Sequence, residues 1–336
     1  MQIRNAIVHR LQKDRFQESV LHIRDDLLQV DEALTRLLTE VRDVYTRKAG
    51  KSYGRFQQDQ DVYPVSRFLR QLLDGQFDFI EFTRRSMNTF KRNIDPAQLA
   101  TGGFVLFVQY AVNQNEYLMT VMLNDQLGTA IDPETLEIND TRHLDLSHLH
   151  LAARVDLGAW DQGREEKYLS FVKGRASADS VSKYFRDFLG CAEYTDARDE
   201  TRTLLRVVQA YCEDQGFGRD ATARFKGAVH DYCEARRKSG SPVHLDELSR
   251  AIDEENPDSF FEFANGEEHR LSNVFDPDRA TLRQLKRFQG KDQKLSIAFD
   301  QDLLGVRVIY DSEERTLLIR NLPDELARQL DEQNNN

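Results

Sequence analysis

Two spacings of apolar residues alternate along this chain, and they predict different elements. Residues 104–112 and 117–123 are apolar at almost every position, and a polar stretch at 113–116 separates them. Short apolar runs on either side of a polar turn are typical of neighbouring strands. We therefore predict a central antiparallel hairpin, with further strands near its edges at 135–138 and 151–157.

Helical spacing dominates most of the remaining chain. From Leu34 to Tyr45 the apolar residues follow one another at intervals of three or one, which places them on one face of a helix that runs from about residue 31 to 48. Similar patterns predict two more helices before the hairpin and five helices in the second half, which also contains four predicted strands and a last helix from about residue 323. The helices are 65–73, 79–92, 178–189, 197–214, 220–238, 244–253 and 257–264, and the strands are 168–172, 294–299, 306–310 and 316–320.

Together these elements predict an α+β fold. An antiparallel sheet with helices forms the N-terminal half, and a mostly helical C-terminal half ends in a small antiparallel sheet. We place the boundary in the polar segment 160–167, so that residues 1–163 form an α+β domain with the central hairpin. Residues 164–330 then form a helix-rich domain, and residues 331–336 are a polar tail.

The composition is that of a globular protein. Apolar residues make up 40% of the 336 positions, enough to build the cores of two domains. No apolar run approaches the roughly 20 residues that cross a membrane, and the N-terminal residues lack the hydrophobic centre of a signal peptide. We therefore expect a cytoplasmic protein. Cys191, Cys212 and Cys233 form no CxxC pair, which predicts reduced thiols.

A segment near the C-terminus carries charge of the opposite sign to the rest of the chain. Residues 279–294 contain six cations and one anion, whereas the whole chain has a net charge of −11. We predict a helix in which Asp276 is the N-cap and Gly290 the C-cap. Its basic side would face a polyanion such as the DNA phosphate backbone, although a merely solvated face stays open as the alternative. The candidate contact residues are Arg279, Arg283, Lys286, Arg287, Lys291 and Lys294.

Two further basic clusters are candidates for phosphate contacts. Arg84 and Arg85 open a span, 84–92, that contains no acid. Lys173 and Arg175 flank a glycine after a predicted strand, where backbone N–H groups could also meet phosphate. Ordinary surface charge is the alternative explanation for each cluster.

Candidate catalytic chemistry is sparse in this sequence. The densest set of potential metal ligands is His143, Asp145, His148 and His150. Interleaved leucines favour a packing role for this run, and its spacing fits no closed zinc pattern, so we expect no metal or other cofactor. No nucleophile elbow, zinc-protease helix or P-loop occurs. We expect a protein that is not an enzyme, and a metal-dependent nuclease is the least favoured alternative.

Four runs of the sequence are distinctive through their order and spacing. They are GGFVLF (102–107), YLSFVKGR (168–175), YFRDFLG (184–190) and FDPDRATLRQLKRF (275–288). Together they resemble the NdpA/YejK family of bacterial nucleoid-associated proteins, over essentially the whole chain. The resemblance implies a cytoplasmic protein of the nucleoid that binds double-stranded DNA, with a link to type II topoisomerases in some members. It assigns no contact residues, so the candidates above rest on charge and periodicity.

We interpret the chain as a largely sequence-nonspecific DNA-binding protein that contacts the phosphate backbone through the basic helix. The alternative is a protein–protein adaptor whose acidic surface, for example 253–255, holds a DNA-handling enzyme, so that its association with DNA is indirect. We also expect a homo-oligomer, with a dimer favoured, because a hairpin at 306–319 exposes strand edges.

Overall fold

The chain forms two compact units. The computed structural model describes residues 1–48, 50–98, 100–146, 149, 151–163, 167–172, 179–194, 196–266 and 268–334. Unit 1 comprises Met1–Asp196, His244–Asp246 and Phe261–Phe275, and unit 2 comprises Ala197–Val243, Glu247–Phe260 and Asp276–Asn336. The polar segment 160–167 lies within unit 1.

Strands and helices alternate irregularly through the first 193 residues. The strands are β1 Gln2–Gln12, β2 Val20–His22, β3 Lys51–Phe56, β4 Gly103–Val112, β5 Asn115–Ile131, β6 Ile138–Asp145, β7 Leu151–Asp156, β8 Leu169–Val172 and β9 Cys191–Glu193. The helices are α1 Glu32–Arg47, α2 Val65–Leu73, α3 Phe79–Ile94, α4 Leu157–Asp161 and α5 Asp179–Leu189.

Helices dominate the remainder until the C-terminal hairpins. The helices are α6 Ala197–Asp214, α7 Arg219–Lys238, α8 Leu245–Ile252, α9 Ser259–Ala264, α10 Arg279–Leu282 and α11 Asp324–Asn334. The strands are β10 Val243–His244, β11 Val274–Phe275, β12 Arg287–Lys291, β13 Ser296–Asp300, β14 Val308–Asp311 and β15 Thr316–Ile319. The predicted α+β class, with one large antiparallel sheet and small terminal sheets, is confirmed.

The large sheet of unit 1 is antiparallel, in the order β2-β1-β4-β5-β7-β8-β3-β9, and β6 pairs with β5. The predicted central hairpin is β4–β5. Its turn is formed by Asn113 and Gln114, whose φ angles of 48° and 70° match the two-residue turn that follows the twist of the strands.

Helices cover both faces of this sheet, which explains why β4 and β5 are apolar at consecutive positions. Val105 and Phe107 face a core that includes the buried aromatic rings of α3 and α5. Leu106 and Val108 face the opposite core, together with the buried side of α1. The sheet is therefore the middle layer of three in unit 1.

A buried lysine helps to hold the segment 261–275 in unit 1. Lys51 is 2% exposed, and its Nζ donates to the backbone oxygen of Asn265 at 3.0 Å. The N–H of Asn273 in turn donates to the Lys51 carbonyl at 2.8 Å. A buried ammonium group needs such an acceptor, because it has lost its contact with water. The two bonds together tie β3 to a segment more than 200 residues away in the sequence.

Unit 2 has an aromatic core of its own. The ring of Tyr211 on α6 lies 5.2 Å from Phe225 on α7 and 5.3 Å from Phe260, measured between centroids. Cys212 and Cys233 are buried beside this core, and burial raises the pKa of Cys233 to about 12. At neutral pH such a thiol is protonated and therefore unreactive. Within the described parts of the chain, no helix is both long and apolar enough to cross a membrane.

The predicted basic helix from Asp276 to Gly290 is wrong. Only α10, four residues long, is α-helical, and Asp278 rather than Asp276 caps it. A 3₁₀ turn, Arg283–Leu285, follows, and the chain then enters β12. The reason is non-local: β12 pairs with β13, and the rings of Phe288 and Phe299 lie 5.4 Å apart across that pair.

A second correction concerns the stretch predicted as an edge strand at 135–138. Residues 135–137 belong to the turn between β5 and β6, where Asp132 accepts hydrogen bonds from the N–H groups of Glu134 and Thr135, and only Ile138 is in a strand. The neighbouring strand is β6 itself, which includes His143 and Asp145.

Gly102 occupies a place where a side chain cannot fit. A Cβ atom on this residue would lie 1.9 Å from the carbonyl oxygen of Leu11, so the close approach of β1 explains this glycine. We predict that Gly102→Ala lowers the free energy of unfolding by about 2 kcal/mol or more, since backbone must move. Gly227→Ala is the matched control: in α7 the new methyl group meets open space and should stabilise by about 0.5–1 kcal/mol. Urea unfolding of both variants tests this, and equal effects would contradict it.

His9 couples the stability of unit 1 to pH. It is 1% exposed, and its Nδ1 accepts the N–H of Arg24 while Nε2 lies 3.0 Å from the Thr83 hydroxyl. Because a backbone N–H can only donate, Nδ1 must carry no proton. Burial, and next the Arg84 charge, lower the pKa of His9 from 6.5 to about 4.

From that lowered pKa we predict a loss of stability in acid. Between pH 6.5 and 4 the unfolded chain binds a proton at His9 that the folded chain does not bind. The free energy of unfolding therefore decreases as the pH is lowered, by about 3 kcal/mol over this window. Above pH 6.5 this residue adds no pH dependence to the stability. In His9→Gln, urea unfolding at pH 7 and pH 4.5 should differ by about 2–3 kcal/mol less than in the parent protein. An identical pH dependence in both proteins would refute the assignment.

Candidate nucleic-acid interface

Short-range hydrogen bonds position the first turn of the basic segment. Asp278 accepts from the N–H and the hydroxyl of Thr281, at 2.8 and 2.6 Å, and its own N–H donates to the Thr201 hydroxyl on α6 at 2.8 Å. Leu282 and Leu285 are buried. This apolar side packs α10 and the following 3₁₀ turn against α6 and α7, so the charged residues between them point outwards.

Two carboxylates on α7 face these charged residues. Asp231 and Glu234 are three residues apart and therefore lie on one side of the helix. The Lys286 ammonium is 2.6 Å from Asp231. Arg237, bound at 2.8 Å, and the charges of Lys238 and Arg279 lower the pKa of Glu234 to about 2. Both acids are thus ionised at neutral pH and gather cations from two parts of the chain.

We define the cationic cluster of unit 2 as five cations of α7 and the basic segment. Three members come from the basic segment and two from the C-terminal turn of α7. The members are Arg237, Lys238, Arg279, Arg283 and Lys286. Against the two carboxylates of α7 and the Asp278 carboxylate that caps α10, the five cations leave a local charge of +2, on a protein whose net charge is −11.

The pair of Lys286 with Asp231 is exposed and therefore exchangeable, whereas Arg237 and Glu234 are half-buried. Lys286 and Asp231 have side chains 41% and 66% exposed. Pairs in such positions typically contribute less than about 1 kcal/mol, because water and salt screen them. Arg279 and Arg283 are exposed as well. A phosphate group can therefore take the place of a carboxylate without a large cost.

The remaining candidates of the segment lie on or beside the β12–β13 hairpin. Arg287 pairs with Asp300 across the hairpin at 3.0 Å, so it does not extend a helical face with Arg283. Lys294 lies exposed in the connecting turn, where its N–H donates to Asp292. The side chain of Lys291 falls outside the described part of the structure.

Arg84 and Arg85 lie on α3 in unit 1, and acids from outside the span 84–92 meet both of them. Arg84 contacts Asp25 at 3.0 Å and Glu81 at 3.2 Å, and Arg85 contacts Glu81 at 2.7 Å. The Arg85 guanidinium also lies 4.7 Å from the ring centre of Phe77. Both arginines therefore have acidic partners on the surface of unit 1, and a contact with phosphate stays a prediction for them. Lys173 and Arg175 lie outside the described residues.

Two of the four candidate metal ligands lie in the described part of the structure. His143 is exposed on β6, and its Nε2 lies 2.9 Å from the Gln126 side chain. Burial lowers the pKa of Lys48, and the charge of Asp145 opposes this shift. His148 and His150 fall outside the described residues. Among the residues that are described, no three His, Cys, Asp or Glu side chains converge as a metal site requires.

Arg237 and Lys238 were not among the residues proposed from the sequence. A signal was present, since 236–238 is a run of three cations at the end of a predicted helix. Such a run also stabilises a helix through the dipole at its C-terminus, which makes it common and unspecific. Its proximity to Arg279 could not be read from positions some 40 residues apart.

Comparison with known proteins places this geometry in context. Residues 7–327 match the family described as nucleoid-associated protein YejK. A nucleoid-associated protein of Azotobacter vinelandii is 41% identical over 98% of both chains. Similar proteins from Pseudomonas entomophila and Pseudomonas savastanoi, also called nucleoid-associated proteins, are 40% and 39% identical over 98% of this chain and 98% and 99% of theirs.

The side chain of Asp278 caps α10 and should therefore stabilise the start of the basic segment. We predict that Asp278→Ala destabilises unit 2 by about 1–2 kcal/mol, because the N–H of Thr281 loses its acceptor. Asp278→Asn keeps an acceptor oxygen and should cost less than about 0.5 kcal/mol. Urea unfolding of the two variants separates the cap from the charge, and an equal loss in both would assign the effect to the charge.

Proposed function

The chain belongs to the family of the nucleoid-associated protein YejK, and from this premise we propose that it binds DNA directly through the cationic cluster of unit 2. Membership of the family gives the chain a nucleoid-associated role, at the nucleoid in the cytoplasm. The direct contact with DNA and the residues that make it are our proposal. The observation that carries it is the local charge of +2 that the cationic cluster keeps beside Asp231, Glu234 and Asp278.

The arrangement of charge supports binding that is electrostatic and weakly selective for sequence. The rest of the protein is anionic and is repelled by phosphates, so DNA would approach from the side of the cluster. Guanidinium groups on exposed side chains suit phosphate oxygens, which they can hold with two hydrogen bonds. Contacts of this kind position a protein on DNA but do not read bases. We propose a non-enzymatic role on this basis.

A second proposal concerns a protein partner. Glu254 and Glu255 are exposed and follow α8, and a carboxylate cluster of this kind suits a basic protein surface. The partner implied by the resemblance is a type II topoisomerase, whose activity the protein would modulate. If purified protein fails to shift DNA at low salt and yet captures the topoisomerase, this adaptor role replaces direct binding.

We also propose that the protein is a homo-oligomer, in the simplest case a dimer. Large apolar side chains are exposed in both units, among them Tyr310 at 54% and Leu318 at 56% on the β14–β15 hairpin. Exposed apolar patches on a folded surface commonly mark association sites. A second copy of the chain would cover such apolar surface.

The salt dependence of DNA affinity tests the proposed contact. If about four phosphates are neutralised, affinity should fall about a hundredfold between 50 and 200 mM salt. Arg279→Glu with Arg283→Glu should weaken binding at low salt by more than about tenfold and should flatten the salt dependence. Fluorescence anisotropy with two labelled duplexes of unrelated sequence measures both effects, and the two duplexes should bind alike.

The matched control changes the same amount of charge elsewhere in unit 2. Arg320→Glu with Arg328→Glu replaces two exposed arginines outside the cluster, and it should leave affinity within about threefold of the parent protein, because net charge alone acts weakly through salt. If affinity barely responds to salt, or the control loses as much as the cluster variant, the cluster is not the DNA-binding surface.

A further inference from the structure

A β-hairpin arm extends from the sheet of unit 1. β5 pairs with β4 as far as Leu123 and with β7 as far as Met122. Beyond that point its residues 124–131 pair with β6, residues 138–145, in continuous antiparallel register. At 3.3–3.4 Å per residue, the eight-residue pair is about 26 Å long. We call residues 124–145 the arm.

One face of the arm carries a row of exposed aliphatic side chains. Successive residues of a strand point to opposite faces, so Leu127, Ile131 and Ile138 share a face. They are 69%, 65% and 73% exposed, and Ile131 lies directly opposite Ile138. Leu136 at the tip is 75% exposed. A two-stranded hairpin is marginally stable alone in water, and these side chains gain most from a partner that covers them.

The charge of the arm restricts what that partner can be. Its 22 residues contain six carboxylates and one arginine, a net charge of −5. Arg142 is itself bound to Asp125 at 2.7 Å. Nucleic acid is repelled by such an arm, and so is the arm of a second copy. The occupant must bring cations beside apolar side chains.

The same chain carries a surface of that description. Residues 286–300, which contain the β12–β13 hairpin, have four cations and two acids. Phe288 and Leu295 are 41% and 56% exposed there, next to Arg287 and Lys294. Among the described strands β12 and β13 pair with each other and join no larger sheet, so this hairpin also presents strand edges.

We propose that the arm of one copy docks on the β12–β13 hairpin of a second copy, and that the self-association of this protein uses this contact rather than the β14–β15 hairpin. The arm has a charge of −5, and residues 286–300 have a charge of +1 when the Asp231 carboxylate beside Lys286 is counted, so the two surfaces attract. The aliphatic row of the arm covers Phe288 and Leu295. Strand edges on both hairpins can add backbone hydrogen bonds. The inference is independent of DNA binding, and its test contains no DNA.

Charge reversal on each side, and then on both, tests the contact. Sedimentation equilibrium of the parent protein at low salt should show concentration-dependent association. Glu134→Lys with Glu137→Lys on the arm, or Arg287→Glu with Lys294→Glu on the other side, should each weaken association by at least about tenfold. A chain with all four substitutions should regain most of the loss, because the attraction is restored with its signs exchanged.

Two further variants keep the test decisive. Leu127→Ser with Ile138→Ser removes exposed aliphatic surface without a change of charge and should also weaken association, while circular dichroism verifies that the fold is kept. Leu318→Ser on the β14–β15 hairpin is the control and should associate like the parent protein. A protein that is monomeric at every concentration overturns the proposal. So does association that Leu318→Ser abolishes, or that the fourfold variant fails to restore.

Discussion

The pairing of β4 with β5 is the contact on which the architecture of unit 1 depends. Both strands contribute buried side chains to both faces of the sheet, so neither helix layer has a core without them. β1 adds to β4, and β7 adds to β5. The arm exists because β5 continues past the end of that pairing. A strand buried on both faces thus fixes the sheet and also carries an exposed, acidic extension away from it.

The sequence was sufficient where the stabilising interactions are local. The bounds of α2 and α6 match those predicted, because amphipathic spacing and the nearby helix ends are written in the same short segment. The hairpin β4–β5 was also predictable, since its two-residue turn and its apolar runs are contiguous. Patterns of this kind need no knowledge of the partner against which the element packs.

The basic segment failed because a distant interaction outweighed good local signals. Asp276 and Gly290 have the residue types of helix caps, but Gly290 lies opposite Ile297 in a strand pair. Residues of β13, downstream of the segment, decide its conformation. The site was hidden for the same reason: the partner of Lys286 is Asp231, 55 residues earlier. Charge composition could be read from the sequence, whereas the α7 carboxylates that gather these cations could not.

Charge is distributed here in a way that links the two proposed contacts. A chain of net charge −11 concentrates cations on one surface only where local geometry gathers them, and the exposed Asp231 and the half-buried Glu234 do this. The arm concentrates the opposite sign on unit 1. Both surfaces include Lys286, so phosphate and the arm of another copy would compete for this cation. On this argument DNA binding and self-association oppose each other, and salt weakens both.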